Sequence, residues 1–148
     1  MFIKEVTENK KQYISLLLLA DEQEEMIDRY LDAGKMYVLC DGGVRCECVI
    51  TDEGEGVLEI KNIATVPEYQ GKGYARAMIK YIIDIYKDRY SVLQVGTGDS
   101  PLTIPFYEHC GFVRHHIVKD FFLENYDHVI IEGGRQLKDM VYLRMKLR

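Results

Sequence analysis

No apolar run in the 148-residue sequence approaches membrane-spanning length, and the opening MFIKEVTENKKQY lacks the apolar core of a secretory signal. A cytoplasmic protein with no membrane partner is expected. A basic excess is missing too. The net charge is −5, which argues against a general nucleic-acid binder, since that role needs a positive face. Only four cysteines occur (Cys40, Cys46, Cys48 and Cys110), and no second ligand pair stands at metal-site spacing. No metal site is expected, and buried, reduced thiols are the natural reading in the cytosol. With no repeats, low-complexity segments or dividing linker, residues 1–148 read as one domain.

The composition that remains is ordinary for a globular chain, 47% hydrophobic and 29% charged. Phe2 to Val6 predicts a strand. Lys10 to Ala20 and Glu22 to Ala33 predict helices, the second stopping at Gly34. Met36–Cys40 and Val44–Thr51 flank the hairpin signal Asp41-Gly42-Gly43, and Asp52–Gly56 turns into a strand over Val57–Val66. From Ala75 onward, Met78, Ile79, Ile82, Ile83 and Tyr86 recur at the spacing of a helix buried on one face. Ser91–Val95 reads as a strand, Gly96–Asp99 as a loop, and Ser100-Pro101 as the start of a short helix. Phe112–Val118 and Met140–Leu147 read as strands, with Lys119–Tyr126 helical or irregular. Hairpins followed by a strand–helix–strand–helix–strand unit imply an α/β fold, a mixed sheet with helices on both faces.

One junction carries chemistry. Gln70-Gly71-Lys72-Gly73-Tyr74-Ala75-Arg76 joins the strand ending near Val66 to the long helix. The first N–H groups of a helix have no partner within it, and the peptide dipoles leave partial positive charge there. Glycines at 71 and 73 let an anion approach bare backbone, and Lys72 and Arg76 add charge at the end where cations disfavour the helix. That placement suits phosphate better than it suits stability. Two other phosphate motifs fail. A dinucleotide fold wants a third glycine and a distal acid, and a P-loop wants serine or threonine after its lysine, where Gly73 stands.

The order glutamine, two residues, glycine, one residue, alanine at Gln70, Gly73 and Ala75 resembles the Q/R-x-x-G-x-G/A signature of the GCN5-related N-acetyltransferases (GNAT). Downstream, the segment from Ser100 to Phe112 resembles that family's N-x-x-A-x-x-F-Y-x-x-x-G-F stretch. Lys119-Asp120-Phe121-Phe122, Glu124-Asn125-Tyr126 and Asp139-Met140 look like a small bacterial subgroup of it. The resemblance implies a mostly antiparallel sheet splayed at the cofactor site, and acetyl-CoA as cosubstrate. It implies transfer of acetyl to a primary amine of a small molecule or peptide, by direct attack in a ternary complex. The alternative is a non-catalytic acyl-CoA sensor or partner subunit.

Carried over position by position, Gln70, Gly71, Lys72, Gly73, Tyr74, Ala75 and Arg76 would hold the pyrophosphate. Backbone groups of Ile63, Ala64 and Thr65 would meet the pantetheine arm, with the Ile63 N–H donating to the oxyanion. Ser100 stands where the family has an asparagine contacting the arm, and a hydroxyl there bonds more weakly. Tyr107 matches the acid beside the sulfur; its plain structural counterpart is a core tyrosine bonded to backbone. Glu59 matches a general base, or else is a glutamate paired with Lys61. Cys110 as a nucleophile lacks a base at motif spacing, and none of the four histidines has metal-ligand spacing. Asp21, Glu22, Glu24 and Glu25 point to a cationic acceptor or, more simply, form a solvated helical face. The resemblance also allows a homodimer through the last strands.

Overall fold

The computed structural model describes residues 1–148. Three strands and two short helices build its first half: β1 (Phe2–Val6), α1 (Ile14–Ala20), α2 (Glu24–Asp28), β2 (Lys35–Cys40) and β3 (Val44–Gly54). Then come β4 (Val57–Thr65), α3 (Tyr74–Tyr86), β5 (Val92–Gly98), α4 (Ile104–His109), β6 (Val113–Val118) and α5 (Phe121–Asn125). A two-residue pair, β7 (Ile131–Glu132) and β8 (Arg135–Gln136), precedes the last strand, β9 (Met140–Lys146). Seven strands form one sheet in the order β1-β2-β3-β4-β5-β9-β6, antiparallel except where β4 meets β5. No helix is long and apolar enough to cross a membrane.

Alternation along the central strands buries both faces. Tyr37, Leu39, Cys46, Cys48, Leu58, Ile60, Leu93 and Val95 pack against Met78, Ile79, Ile82 and Tyr86 of α3, the stripe expected from sequence. On the other face Met36, Val38, Cys40 and Val49 meet Leu17, Ile27 and Leu31 of the α1–α2 layer. Each such aliphatic side chain, fully buried, contributes roughly 1.5–3 kcal/mol. The paired positions Cys46 and Cys48 therefore serve as small apolar packing, and all four thiols are free.

The sheet does not stay closed. β4 and β5 pair only over Val57–Ile60 and Val92–Val95. A register shift places Val49 opposite Asn62 but Ile50 opposite Ile60, so Lys61 is an extra residue in β4. Such a bulge bends the strand that carries it. It also switches the inward set, because Leu58 and Ile60 face the α3 core and then Ile63 does. Beyond the bulge β4 keeps only β3 as a partner, while β5 continues along β9 as far as Gly98. The two strands diverge.

Several local expectations are corrected. The second helix covers only Glu24–Asp28, because the Lys10 ammonium takes the Leu31 and Gly34 carbonyls at 2.9 and 2.7 Å and closes the segment in turns. Gly96-Thr97-Gly98 is strand, where a loop was expected. Tyr142 and Leu137 lie over its two glycines, 2.8 and 2.6 Å from where a Cβ would stand. The short helix starts at Ile104 with Pro105 in its first turn, and Ser100 instead shapes the preceding turn, its hydroxyl accepting from Leu102 N–H at 3.1 Å.

Candidate functional site

The gap between β4 and β5 opens into a cleft of about 630 Å³. Its walls are Ile60–Thr65 on one side and Val95–Gly98 on the other. The start of α3 and the Tyr107 side of α4 close one end, and the α1–α2 loop with the segment around β7 closes the other. Volume and mixed lining are those of a small-molecule site.

The glycine turn forms the first end. Gly71 and Gly73 sit at φ +78° and +88°, a region open to glycine at little cost, and Gly73 is the cap of α3. No atom stands within 4 Å of a Cβ built on either, so the space above the turn is free for a ligand. No side chain caps the helix and no acid occupies its first turn. The first intrahelical bond runs from Ala77 N–H to the Gly73 carbonyl at 3.0 Å. The amides of Tyr74, Ala75 and Arg76 are left for an anion.

The neighbours hold this turn in place. The Gln70 amide donates to the Thr65 carbonyl at 3.2 Å, and the Tyr74 hydroxyl donates to Asp41 at 2.6 Å. Gln70, Gly71, Gly73, Tyr74, Ala75 and Arg76 all line the cleft. Lys72 does not; its ammonium lies 5.4 Å from the centre of the Tyr69 ring, which Arg45 covers from 3.8 Å. Ile63, Ala64 and Thr65 line the cleft on the strand edge that β5 has left. Ser100 is 1% exposed and off the lining, facing Glu132.

Tyr107 lines the cleft from α4, its ring edge-on to Phe106 and Phe112 at 5.3 and 5.8 Å. Its hydroxyl makes no hydrogen bond within the protein, unlike a core tyrosine satisfied by backbone. Burial, with smaller contributions from Cys48 and Cys110, pushes it well above the ordinary phenol value. Glu59 lies elsewhere. It is 4% exposed, off the cleft lining, and held by Lys61 at 2.9 Å and by the Gln94 amide. Gln94 in turn accepts from Arg144 Nε at 2.7 Å, so Glu59 belongs to a ladder across β4, β5 and β9.

The four histidines and Cys110 are also off the lining. His115 and His116 meet through Nδ1 atoms 2.8 Å apart on β6, with His116 stacked on Tyr142. No group of three or more His, Cys, Asp or Glu side chains is arranged to hold a metal ion.

The opposite end is polar in a way the motifs do not announce. Asp21 accepts from the Tyr30 hydroxyl at 3.0 Å and from the Tyr126 hydroxyl at 2.6 Å, and burial pushes its carboxyl up. Asn62 donates its amide to the Leu17 carbonyl and to Tyr30 Oη, both at 3.0 Å. Glu132, on β7, is raised by burial. Asp21, Glu22, Asn62, Tyr126 and Glu132 line the cleft together, whereas Glu24 is turned to Lys11 at 2.7 Å and Glu25 is not on the lining. Of the acidic run singled out from the sequence, Asp21 and Glu22 line this end, while Asn62 and Glu132 belong to no motif.

Comparison with known proteins agrees with the geometry. Residues 32–114 match the family described as "Acetyltransferase (GNAT) domain". The chain is 34% identical over 143 residues to the uncharacterized N-acetyltransferase YvbK of Bacillus subtilis, covering 95% of this chain and 92% of that one. Among solved structures, an IAA acetyltransferase from Bacillus cereus is 35% identical, with a TM-score of 0.90 and 98% of both chains covered. A GNAT family acetyltransferase from Elizabethkingia anophelis, solved with acetyl-CoA bound, is 33% identical with a TM-score of 0.91, covering 98% of this chain and 97% of that one.

Proposed function

The chain belongs to the GNAT family of acetyltransferases, and from that premise we propose that it moves acetyl from acetyl-CoA to a primary amine of a small molecule or peptide, both held in the one cleft. The observation that carries this reading is the union of the glycine-lined helix start and the unpartnered Tyr107 hydroxyl on a single splayed gap. Acetyl-CoA supplies the acyl group and a thiolate that can leave. The amides of residues 71 to 76 fit its pyrophosphate, with Arg76 adding charge. The free edge of β4 at Ile63–Thr65 offers backbone donors and acceptors to the amide-bearing arm, as a neighbouring strand would. On this reading the Ile63 N–H, on the strand edge that β5 has left, donates to the negative charge on the reacting carbonyl oxygen.

Tyr107 keeps its proton through the working pH range because burial disfavours the phenolate. It meets the departing sulfur as a hydrogen-bond donor. Complete transfer to a thiolate of ordinary basicity, about 8.5, runs uphill from a phenol raised this way, so its contribution is stabilisation of the leaving group. The proton of the attacking amine goes to water in the cleft rather than to Glu59, both of whose oxygens already accept from Lys61 and Gln94.

The direct test is an acetyl-CoA turnover screen against small amines and peptides, read as free thiol, with calorimetry of CoA binding alongside. Turnover with at least one amine class and a measurable CoA isotherm are expected. Absence of CoA binding would remove the reading altogether.

A further inference from the structure

The β7–β8 hairpin belongs to no layer of the main sheet, yet it is fixed at four points to the loop that leads into α4 and Tyr107. Leu137 covers Gly98, 2.6 Å from where a Cβ would stand, and Pro101 and Leu102 cover Gly133 at 3.0 and 3.4 Å. Arg135 donates to the Asp99 carbonyl at 3.2 Å, with the Asp99 carboxylate 3.5 Å away. The Ser100 hydroxyl accepts from the Leu102 N–H, so its own proton is free for the Glu132 carboxyl that it faces. Residues 98–102 therefore hold Glu132 by its hydroxyl partner and by the glycine that follows it. The outcome is one half-buried carboxyl set in the cleft wall, and its charge reaches the Tyr107 hydroxyl. Other carboxyls are placed differently. Each Asp21 oxygen already accepts from a tyrosine hydroxyl, Glu22 is exposed, and Glu59 is off the lining.

We infer that Glu132 is the proton acceptor of the reaction: the water that takes the proton of the attacking amine passes one to the Glu132 carboxylate. The inference rests on the acetyl-transfer reading and completes its proton path. The nitrogen lone pair joins the thioester carbonyl carbon, the C–S bond breaks, and sulfur leaves as a thiolate held by the Tyr107 hydroxyl. Nitrogen sheds one proton to water, water gives one to Glu132, and Glu132 returns it to solvent. Donor and acceptor then flank the reacting carbon, Tyr107 from the α4 side and Glu132 from the β7 side. A carboxylate of ordinary basicity is a weak base for this step. Burial raises Glu132, with Ser100 easing the shift and Glu22 adding to it. Arg135, its neighbour across the hairpin, is turned to Asp99 and leaves that shift in place.

The test follows free-thiol release in a single turnover between about pH 5 and pH 9, with acetyl-CoA bound and the amine turned over fastest in the screen at saturating concentration. The wild-type rate should climb with pH through a limb set above the ordinary glutamate value of about 4.3. E132Q should lower the rate by about a hundredfold and lose the limb, while CoA affinity stays within about twofold. E132D keeps a carboxylate, so it should keep the limb and recover at least about tenfold over E132Q. A flat wild-type profile would overturn the inference without any variant. So would an E132Q protein that retains the limb or reacts within about threefold of wild type. If E132Q binds no CoA, the wild-type profile and the limb in E132D decide. A wild type that binds no CoA, or turns over no amine, instead removes the acetyl-transfer reading itself, so the two failures are told apart.

Discussion

Tyr107 and Glu59 are both buried polar side chains, yet their partners set them different tasks. The Glu59 carboxylate is spent on Lys61 and Gln94, and the Tyr107 hydroxyl is spent on nothing in the protein. A pair of conservative variants measures that difference. Tyr107→Phe should lower kcat by about a hundredfold, the lower range for loss of a positioned proton donor, while CoA affinity stays within about twofold. A protein that only sensed acyl-CoA would show no such split. Glu59→Gln should leave kcat within about threefold but cost roughly 1–3 kcal/mol of stability, since it leaves Lys61 and the Gln94–Arg144 ladder short of their buried acceptor. A kcat loss in Glu59→Gln matching that of Tyr107→Phe would return Glu59 to the base role.

Among the elements, α3 is the one whose start and packing are both written locally. Its apolar stripe and the glycine turn before it lie within seventeen residues, so periodicity alone recovered the helix and motif spacing recovered the loop. Gly73 is where that local logic can be broken. At φ +88° an alanine costs about 1–2 kcal/mol, and its methyl would stand in the free space the phosphate needs. Gly73→Ala should lower the melting temperature by roughly 4 °C and weaken CoA binding about tenfold or more, measured by calorimetric titration. Elements whose partners lie far along the chain were less legible. Gly96–Gly98 looked like a loop because the side chains that cover it, from Leu137 to Tyr142, come some forty residues later. The Asp21–Tyr126 bond joins residues 105 apart, and the β7–β8 hairpin is too short to carry a period. The glycine-turn end of the cleft was legible because it is built from one contiguous stretch and one short helix. Of the other end only Asp21 and Glu22 were singled out, because four separate segments supply it.

For the molecule as a whole, part of the fold's stability should follow the charge state of its buried carboxyls, inside the sheet as well as along the gap between β4 and β5. Glu47 is the extreme case. It lies on β3 between Val38 and Ala64, is 0% exposed, and neither oxygen has a hydrogen bond, although the Ala64 backbone beside it slightly offsets the burial. Burial therefore raises its carboxyl well above the ordinary value. For a carboxyl whose folded value is raised, the contribution to stability is complete below the unfolded value and is lost as pH climbs through the folded one. The loss is about 1.4 kcal/mol for each unit of difference. Asp21 and Glu132 shift in the same direction, so the wild type should be more stable near pH 5 than near pH 8. Glu47→Gln keeps the shape and removes the titration. Its melting temperature relative to wild type should rise steadily between pH 5 and pH 8 in scanning calorimetry, with little difference at the acid end. A difference that stays constant across that range would mean that Glu47 ionises in the folded protein as freely as in the unfolded chain.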